Sequence, residues 1–167
     1  MCGFVGFTGN IVNREAVLKK MAERIIHRGP DSGGFHMSGE GDSDSISLGF
    51  RRLSIIDLAD GAQPMYNEDG TVVVVYNGEI YNFMELRDEL IARGHVFRTR
   101  CDTEVILHGF EEYGVGLAAK LRGMFAFVVW DSKTNTLYGA ACRRADDGGL
   151  GERSDDRRRI DRRKHAR

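Results

Sequence analysis

The chain has 167 residues but only three cysteines, two prolines and one tryptophan. Cys2, Cys101 and Cys142 are too few and too scattered for a disulfide scaffold. No C-x-x-C pair or His pair at metal spacing accompanies them, so no metal site is expected. No run of about 18 apolar residues occurs, and no membrane-spanning helix is expected. The start, MCGFVGFTGN, lacks a basic segment followed by a long apolar one, which argues against a signal peptide and for a cytoplasmic protein. A formal charge of −1 points to no nucleic-acid partner. What is present is a globular composition, 41% hydrophobic and 29% charged, which excludes disorder along the whole chain and fits one domain.

The near-neutral charge hides a split. Residues 140–167 hold ten Lys+Arg against six Asp+Glu, whereas residues 1–139 hold 14 against 19. The last 28 residues contain no aromatic, and Leu150 and Ile160 are their only large aliphatics. Such a segment buries too little apolar surface to offset its ordering entropy, so 140–167 is expected to be a mostly disordered Arg/Asp-rich tail behind a domain at 1–139. An Arg-rich arm for nucleic acid is the functional alternative, but interleaved acids favour a solvated tail.

The first 139 residues read as mixed strands and helices. Residues 2–8 suggest a strand ending at Gly9. Asn13 predicts the cap of a helix reaching about residue 27, stopped by Gly29-Pro30. SISLGF and LSII, within 45–56, suggest two short strands. TVVVVY at 71–76 is a β-branched run that predicts burial on both faces. Asn82 and Glu85 resemble a capping box for a helix over 83–93 closed by Gly94. Asp102 predicts the cap of a helix over 103–113 closed by Gly114, and MFAFVVWD with LYGA predicts a hairpin turning at 132–136. Strands that follow one another favour an α+β fold over a doubly wound parallel sheet.

Five places can carry chemistry. Methionine before a small residue is normally removed, which would leave Cys2 first in the mature chain. Its α-amine, with a reference pKa of about 7.7–8.0, can then take the proton of a thiol near 8.5. The alternative is a small cysteine buried at the start of a strand. Asn77-Gly78-Glu79 can aim an amide and a backbone N–H at one oxygen, forming an oxyanion hole, or make an ordinary Asn-Gly turn. An arginine in Phe50-Arg51-Arg52-Leu53-Ser54-Ile55-Ile56 can grip a carboxylate with its guanidinium fork, or be a charged edge-strand residue. Asp102, in Cys101-Asp102-Thr103-Glu104, can receive an ammonium, a role compatible with capping a helix. His27, in HRGPD, is discounted as a thiol partner because the terminal amine already supplies a base. A thiol with its own base, an oxyanion hole and clamps for a carboxylate and an ammonium together fit an α-amino acid carrying a side-chain amide.

These residues fall in stretches that resemble the class II glutamine amidotransferase domain, an N-terminal-nucleophile hydrolase, and specifically the domain at the front of glutamine-hydrolysing asparagine synthetases. The stretches are MCG at 1–3, HRGPD at 27–31, RLSIIDL at 52–58, GAQPM at 61–65, NGEIYN at 77–82, DTEVIL at 102–107 and RGMFAFVVWD at 122–131. The resemblance implies a four-layer α-β-β-α sandwich, incomplete at its C-terminal end. It implies Cys2 as the nucleophile that forms a glutamyl thioester, and Asn77 and Gly78 as the oxyanion hole. It implies Arg52 as the ligand of the glutamine α-carboxylate, Glu79 and Asp102 at its amino end, and backbone groups of Leu53, Ser54, Ile55 and Ile56 lining the pocket. L-glutamine would be the substrate, with no cofactor for this domain and with no nucleic acid or membrane as partner. ATP and magnesium would serve only a synthetase domain that receives the ammonia. Past residue 139 the family continues with A-R-D-x-F-G-I-K-P-L-Y, where this chain has AACRRADDGGL. The departure implies a truncated or frame-shifted product of a longer synthetase gene. A catalytically dead fragment or stand-alone binding module is the alternative from another class.

Overall fold

The computed structural model describes residues 2–39, 45–53, 61–142 and the backbone of 160–162. In chain order the elements are β1 (Gly3–Thr8), α1 (Arg14–Arg24), β2 (Ser32–Ser38), β3 (Ile46–Arg52), β4 (Met65–Tyr66), β5 (Val72–Ile80), α2 (Phe83–Ala92), α3 (Asp102–Tyr113), α4 (Leu117–Lys120), β6 (Gly123–Asp131), β7 (Thr136–Cys142) and β8 (Ile160–Arg162). One sheet has the order β1-β3-β2 and the other β4-β5-β6-β7-β8, with every described pairing antiparallel.

Alternation along the strands builds the layers. In β5, Val73 and Val75 turn one way and pack with Ile46, Leu48 and Phe50 of β3 and with Trp130, filling the space between the two sheets. Val72, Val74 and Tyr76 turn the other way and meet Leu86, Leu90, Val105 and Ile106 of α2 and α3. This two-sided burial is the one expected of TVVVVY. On the outer face of the three-stranded sheet, Leu18 of α1 sits over Gly49. The result is α1, sheet, sheet, α2–α3: a four-layer α-β-β-α sandwich, as the resemblance implied. Leu90 is fully buried on the α2 side, and Leu90→Ala is expected to cost about 2–5 kcal/mol. Urea denaturation of the two proteins checks this.

Several local expectations are corrected. The first helix stops at Arg24 and passes into a 3-10 turn at Ile26–Arg28. Asn13 holds the left-handed region at φ 57° and makes no side-chain cap. Asn82 also makes no cap to its helix. Its amide instead donates to the Lys120 carbonyl (2.9 Å) and accepts from the Arg122 N–H (2.8 Å), joining α2 to the α4–β6 connection. Asn77-Gly78 is not a turn, because β5 continues through Ile80 against β6. Arg52 is not on an edge strand, because β3 is central in its sheet. In the expected LSII strand, Leu53 lies just past the end of β3, and residues 54–56 lie outside the described residues.

β2, whose Gly33-Gly34 masks its strand character, was not expected. Glycine serves there because a Cβ at Gly34 would lie 2.2 Å from the Gln63 carbonyl oxygen. The boundary expected at 139 falls inside β7, which runs on to Cys142, and the backbone of 160–162 pairs with Leu137–Gly139. The remainder of the expected tail lies outside the described residues.

Candidate active site

Cys2 lies immediately before β1, half-buried against the apolar layer between the sheets. Both backbone groups of Leu53 engage its sulfur. The Leu53 N–H donates to Sγ at 3.4 Å, and the thiol donates to the Leu53 carbonyl at 3.8 Å. Gly3 pairs with Arg51 and Phe4 with Phe50, so alternation puts Cys2 and Arg52 on the same sheet face as Phe4 and Phe50. That face is turned towards the second sheet.

The segment after α1 braces this corner, a role that no local pattern in the sequence signals. The Arg28 Nε donates to the Cys2 carbonyl at 3.1 Å, with the Arg28 side chain against Gly3. Gly29 is buried where a Cβ would come within 2.4–2.5 Å of the Arg51–Arg52 peptide. Its carbonyl accepts from the Arg51 Nε (3.1 Å), and the Asp31 N–H donates to the Arg52 carbonyl (3.1 Å). The R-G-P-D part of HRGPD therefore holds the Cys2 backbone and the end of β3 in one place. His27 is exposed, consistent with discounting it as a thiol partner.

The second sheet brings Asn77 to the same end. On β5 the alternation Val73, Val75, Asn77 continues along the face turned to the first sheet. Gln63 links the two ends. Its Oε1 accepts from the Tyr76 N–H at 2.6 Å, while its carbonyl passes against Gly34, the partner of Phe50 in β2–β3. Gly78 has φ +152°, and a Cβ there would sit 2.3 Å from the Met124 carbonyl oxygen, so this close approach of β5 to β6 requires glycine. Gly78 and Glu79 are exposed and Asn77 is half-buried.

Asp102 approaches from the helix side. It is the first residue of α3, and no side-chain cap is formed at that end. Its Oδ2 instead accepts from the Tyr76 hydroxyl (2.5 Å) and the Ile80 N–H (3.2 Å), which fixes the carboxylate beside residues 77–79. Burial first, and then the charge of Asp102, push the Tyr76 phenol far above its ordinary range, so it stays a protonated donor. Cys101 packs its sulfur 3.0 Å from the Thr99 hydroxyl, a structural role.

The structure thus gathers Cys2, Arg52 and Leu53 at one corner, brings Asn77 to the same end from the facing sheet, and reaches 77–79 with Asp102 from the other side. Ser54, Ile55 and Ile56 lie outside the described residues. A surface cavity of about 840 Å³, bordered by Asn67, Glu111, Tyr113 and Lys133, lies elsewhere and contains none of these residues. No helix among the described residues is long and apolar enough to cross a membrane.

Comparison with known proteins identifies the family and the fold. Residues 1–143 match the family model described as a glutamine amidotransferase domain. The chain is 47% identical over 146 residues to Asparagine synthetase [glutamine-hydrolyzing] 1 of Bacillus subtilis, covering 84% of this chain and 22% of that protein. It is 42% identical over 144 residues to a probable asparagine synthetase [glutamine-hydrolyzing] of Dictyostelium discoideum, covering 84% and 25%. The chain therefore spans about a quarter or less of these relatives. Among solved structures, glutamine phosphoribosylpyrophosphate amidotransferase from B. subtilis matches with a TM-score of 0.64 over 84% of this chain and 37% of that one. At 16% identity this supports the fold alone.

Proposed function

This chain belongs to the glutamine amidotransferase domain family, and we propose that it hydrolyses the side-chain amide of L-glutamine to glutamate and ammonia, as the ammonia-supplying part of an asparagine synthetase. The observation that carries the reading is the seat of Cys2, whose sulfur rests on the Leu53 backbone while Arg28 holds its carbonyl. The identity to relatives named as glutamine-hydrolysing asparagine synthetases supports the choice of amide donor and of ammonia acceptor.

In this reading, removal of Met1 frees the Cys2 α-amine, which takes the thiol proton directly or through one water. The thiolate attacks the side-chain carbonyl carbon of glutamine and forms a C–S bond. The amide Nδ2 of Asn77 and the N–H of Gly78 hold the resulting oxyanion. The protonated amine returns its proton to the leaving nitrogen, the C–N bond breaks, and ammonia departs from a glutamyl thioester. Water, deprotonated by the same amine, attacks the thioester. The C–S bond breaks, and glutamate leaves with the thiol restored. Arg52 grips the α-carboxylate, and Glu79 and Asp102 hold the ammonium. The backbone around Leu53 lines the pocket. ATP and magnesium belong, in this account, to the synthetase portion that takes up the ammonia.

Ammonia release from glutamine by the purified chain tests the proposal. Arg52→Ala removes a charge-assisted contact made alike in ground and transition states. It is expected to lower kcat/KM about 10–100-fold, mostly through KM. Absence of ammonia release by the parent chain, or an unchanged KM in the variant, would contradict it.

A further inference from the structure

A second cluster of reactive side chains lies on the helix layer, on the other side of the five-stranded sheet from Cys2. His108 of α3 is buried at 2% exposure, on the helix face that also carries Glu104 and Glu111. The Phe97 ring stands edge-on to it at 4.6 Å, and the His95 ring lies 5.1 Å away. Four carboxylates face these two imidazoles: Glu104, Glu111 and Glu112 from α3, and Glu68 from the turn after β4. The Arg93 guanidinium, 2.7 Å from Glu112, is the cation paired into the group. With both rings neutral, the described cluster carries an excess of negative charge.

The arrangement of ring atoms is directional. His108 Nδ1 lies 3.1 Å and His95 Nδ1 3.8 Å from one oxygen, Glu111 Oε2. The opposite ring nitrogens each turn to a different carboxylate: His95 Nε2 to Glu112 at 3.4 Å, and His108 Nε2 to Glu104 at 3.6 Å. The other oxygen of Glu111 accepts from the buried Asn67 amide at 2.8 Å, which leaves Oε2 aimed at the histidines. Glu104 is itself fixed by the N–H groups of Arg98 and Thr99 and by the Thr99 hydroxyl. Burial lowers the His108 pKa, but the hydrogen bond its ring donates to Glu111 and the charges of Glu68, Glu111 and Glu104 outweigh it, and the net shift is upward.

We propose that His95, His108 and Glu111 form a zinc-binding site, with His95 Nδ1, His108 Nδ1 and Glu111 Oε2 as ligands and a fourth position for water. The three residues offer ligand atoms all within 4.8 Å of one another. A tetrahedral zinc with bonds of about 2.0–2.2 Å needs ligand atoms about 3.3 Å apart, and the two separations from Glu111 Oε2, 3.1 and 3.8 Å, lie near that value. A carboxylate behind each histidine and an amide behind the glutamate form the outer shell that orients metal ligands. Glu111 also borders the 840 Å³ surface cavity, which gives the ion and its water a route to solvent. No metal was expected from the sequence because His95 and His108 are 13 residues apart. Only the packing of the α2–α3 connection onto α3 brings them together.

The test is zinc titration of the full chain against a chromophoric chelator, with its three free cysteines alkylated so that thiols cannot take the metal. One equivalent of zinc is expected to bind. His95→Ala and Glu111→Gln are expected to weaken it more than about 10-fold, and Glu112→Gln about 10-fold through the outer shell. His95 and Glu111 are partly exposed, so these variants spare the core. Cobalt substituted into the unmutated chain supplies a second readout that needs no variant: a tetrahedral nitrogen–oxygen spectrum without a thiolate charge-transfer band. Failure of the alkylated chain to bind zinc or cobalt, or equal zinc affinity in all variants, would overturn the site and leave a buried histidine held among carboxylates. Neither outcome bears on glutamine hydrolysis.

Discussion

Cys2→Ala is expected to lower glutamine hydrolysis by about 10⁴-fold or more, with the fold unchanged. The magnitude follows from the role: without sulfur no thioester forms, and what remains is binding and oxyanion stabilisation acting on a water attack. The structural cost is small. Cys2 is half-buried before β1 and makes its two sulfur contacts with the Leu53 backbone, while its carbonyl contact to Arg28 does not involve the side chain. Thermal midpoints of the two proteins are therefore expected to agree closely, while ammonia production separates them. Equal ammonia production would remove the cysteine from the mechanism.

Asn77→Ala carries the second largest effect. An oxyanion donor acts only once charge has developed, so its loss falls on kcat, by about 10²–10³-fold or 2.7–4 kcal/mol, with KM little changed. Asn77 lies inside β5 with its backbone paired to Ala126, so alanine keeps the ladder. Its strand-propensity cost stays within about 1 kcal/mol. Steady-state kinetics with glutamine separates the alternatives. A rise in KM with kcat intact would make Asn77 a substrate-binding group and leave the oxyanion to other donors.

The parts of the fold legible in the sequence are those where one physical demand dominates. Val72 to Val75 are apolar and β-branched because they pack on both faces of their sheet, and the run reads that way with no partner in view. β2 was hidden because Gly33 and Gly34 answer tertiary demands, the close approach of the Phe50 carbonyl at Gly33 and the passage of residue 63 across the sheet at Gly34. A glycine chosen for close approach carries no strand signal. Helix caps misled for a related reason. Asn82 holds the cap position of α2 and Asp102 the first position of α3, but their side chains bond to Lys120, Arg122, Tyr76 and Ile80, far away in sequence.

The candidate site divides the same way. Cys2 and Asn77 stand out as candidates in the sequence because the chemistry proposed for them depends on residue type and immediate neighbours. Arg28, which holds the Cys2 carbonyl, and Gln63, which ties β5 to the crossing at Gly34, do not, because their roles exist only once the two sheets stack. The His95–His108 pair is the extreme case, invisible to any rule of spacing.

The account rests on a thiol that shares the first mature residue with a free α-amine and attacks the amide of glutamine. The most direct measurement incubates the chain with a glutamine analogue whose side-chain amide is replaced by an electrophilic ketone, and locates the adduct by peptide mass spectrometry. The account predicts a single adduct on a peptide that begins at Cys2, with its formation slowed by excess glutamine. A modified peptide that still begins at Met1, or an adduct on Cys101 or Cys142 with Cys2 untouched, would contradict it.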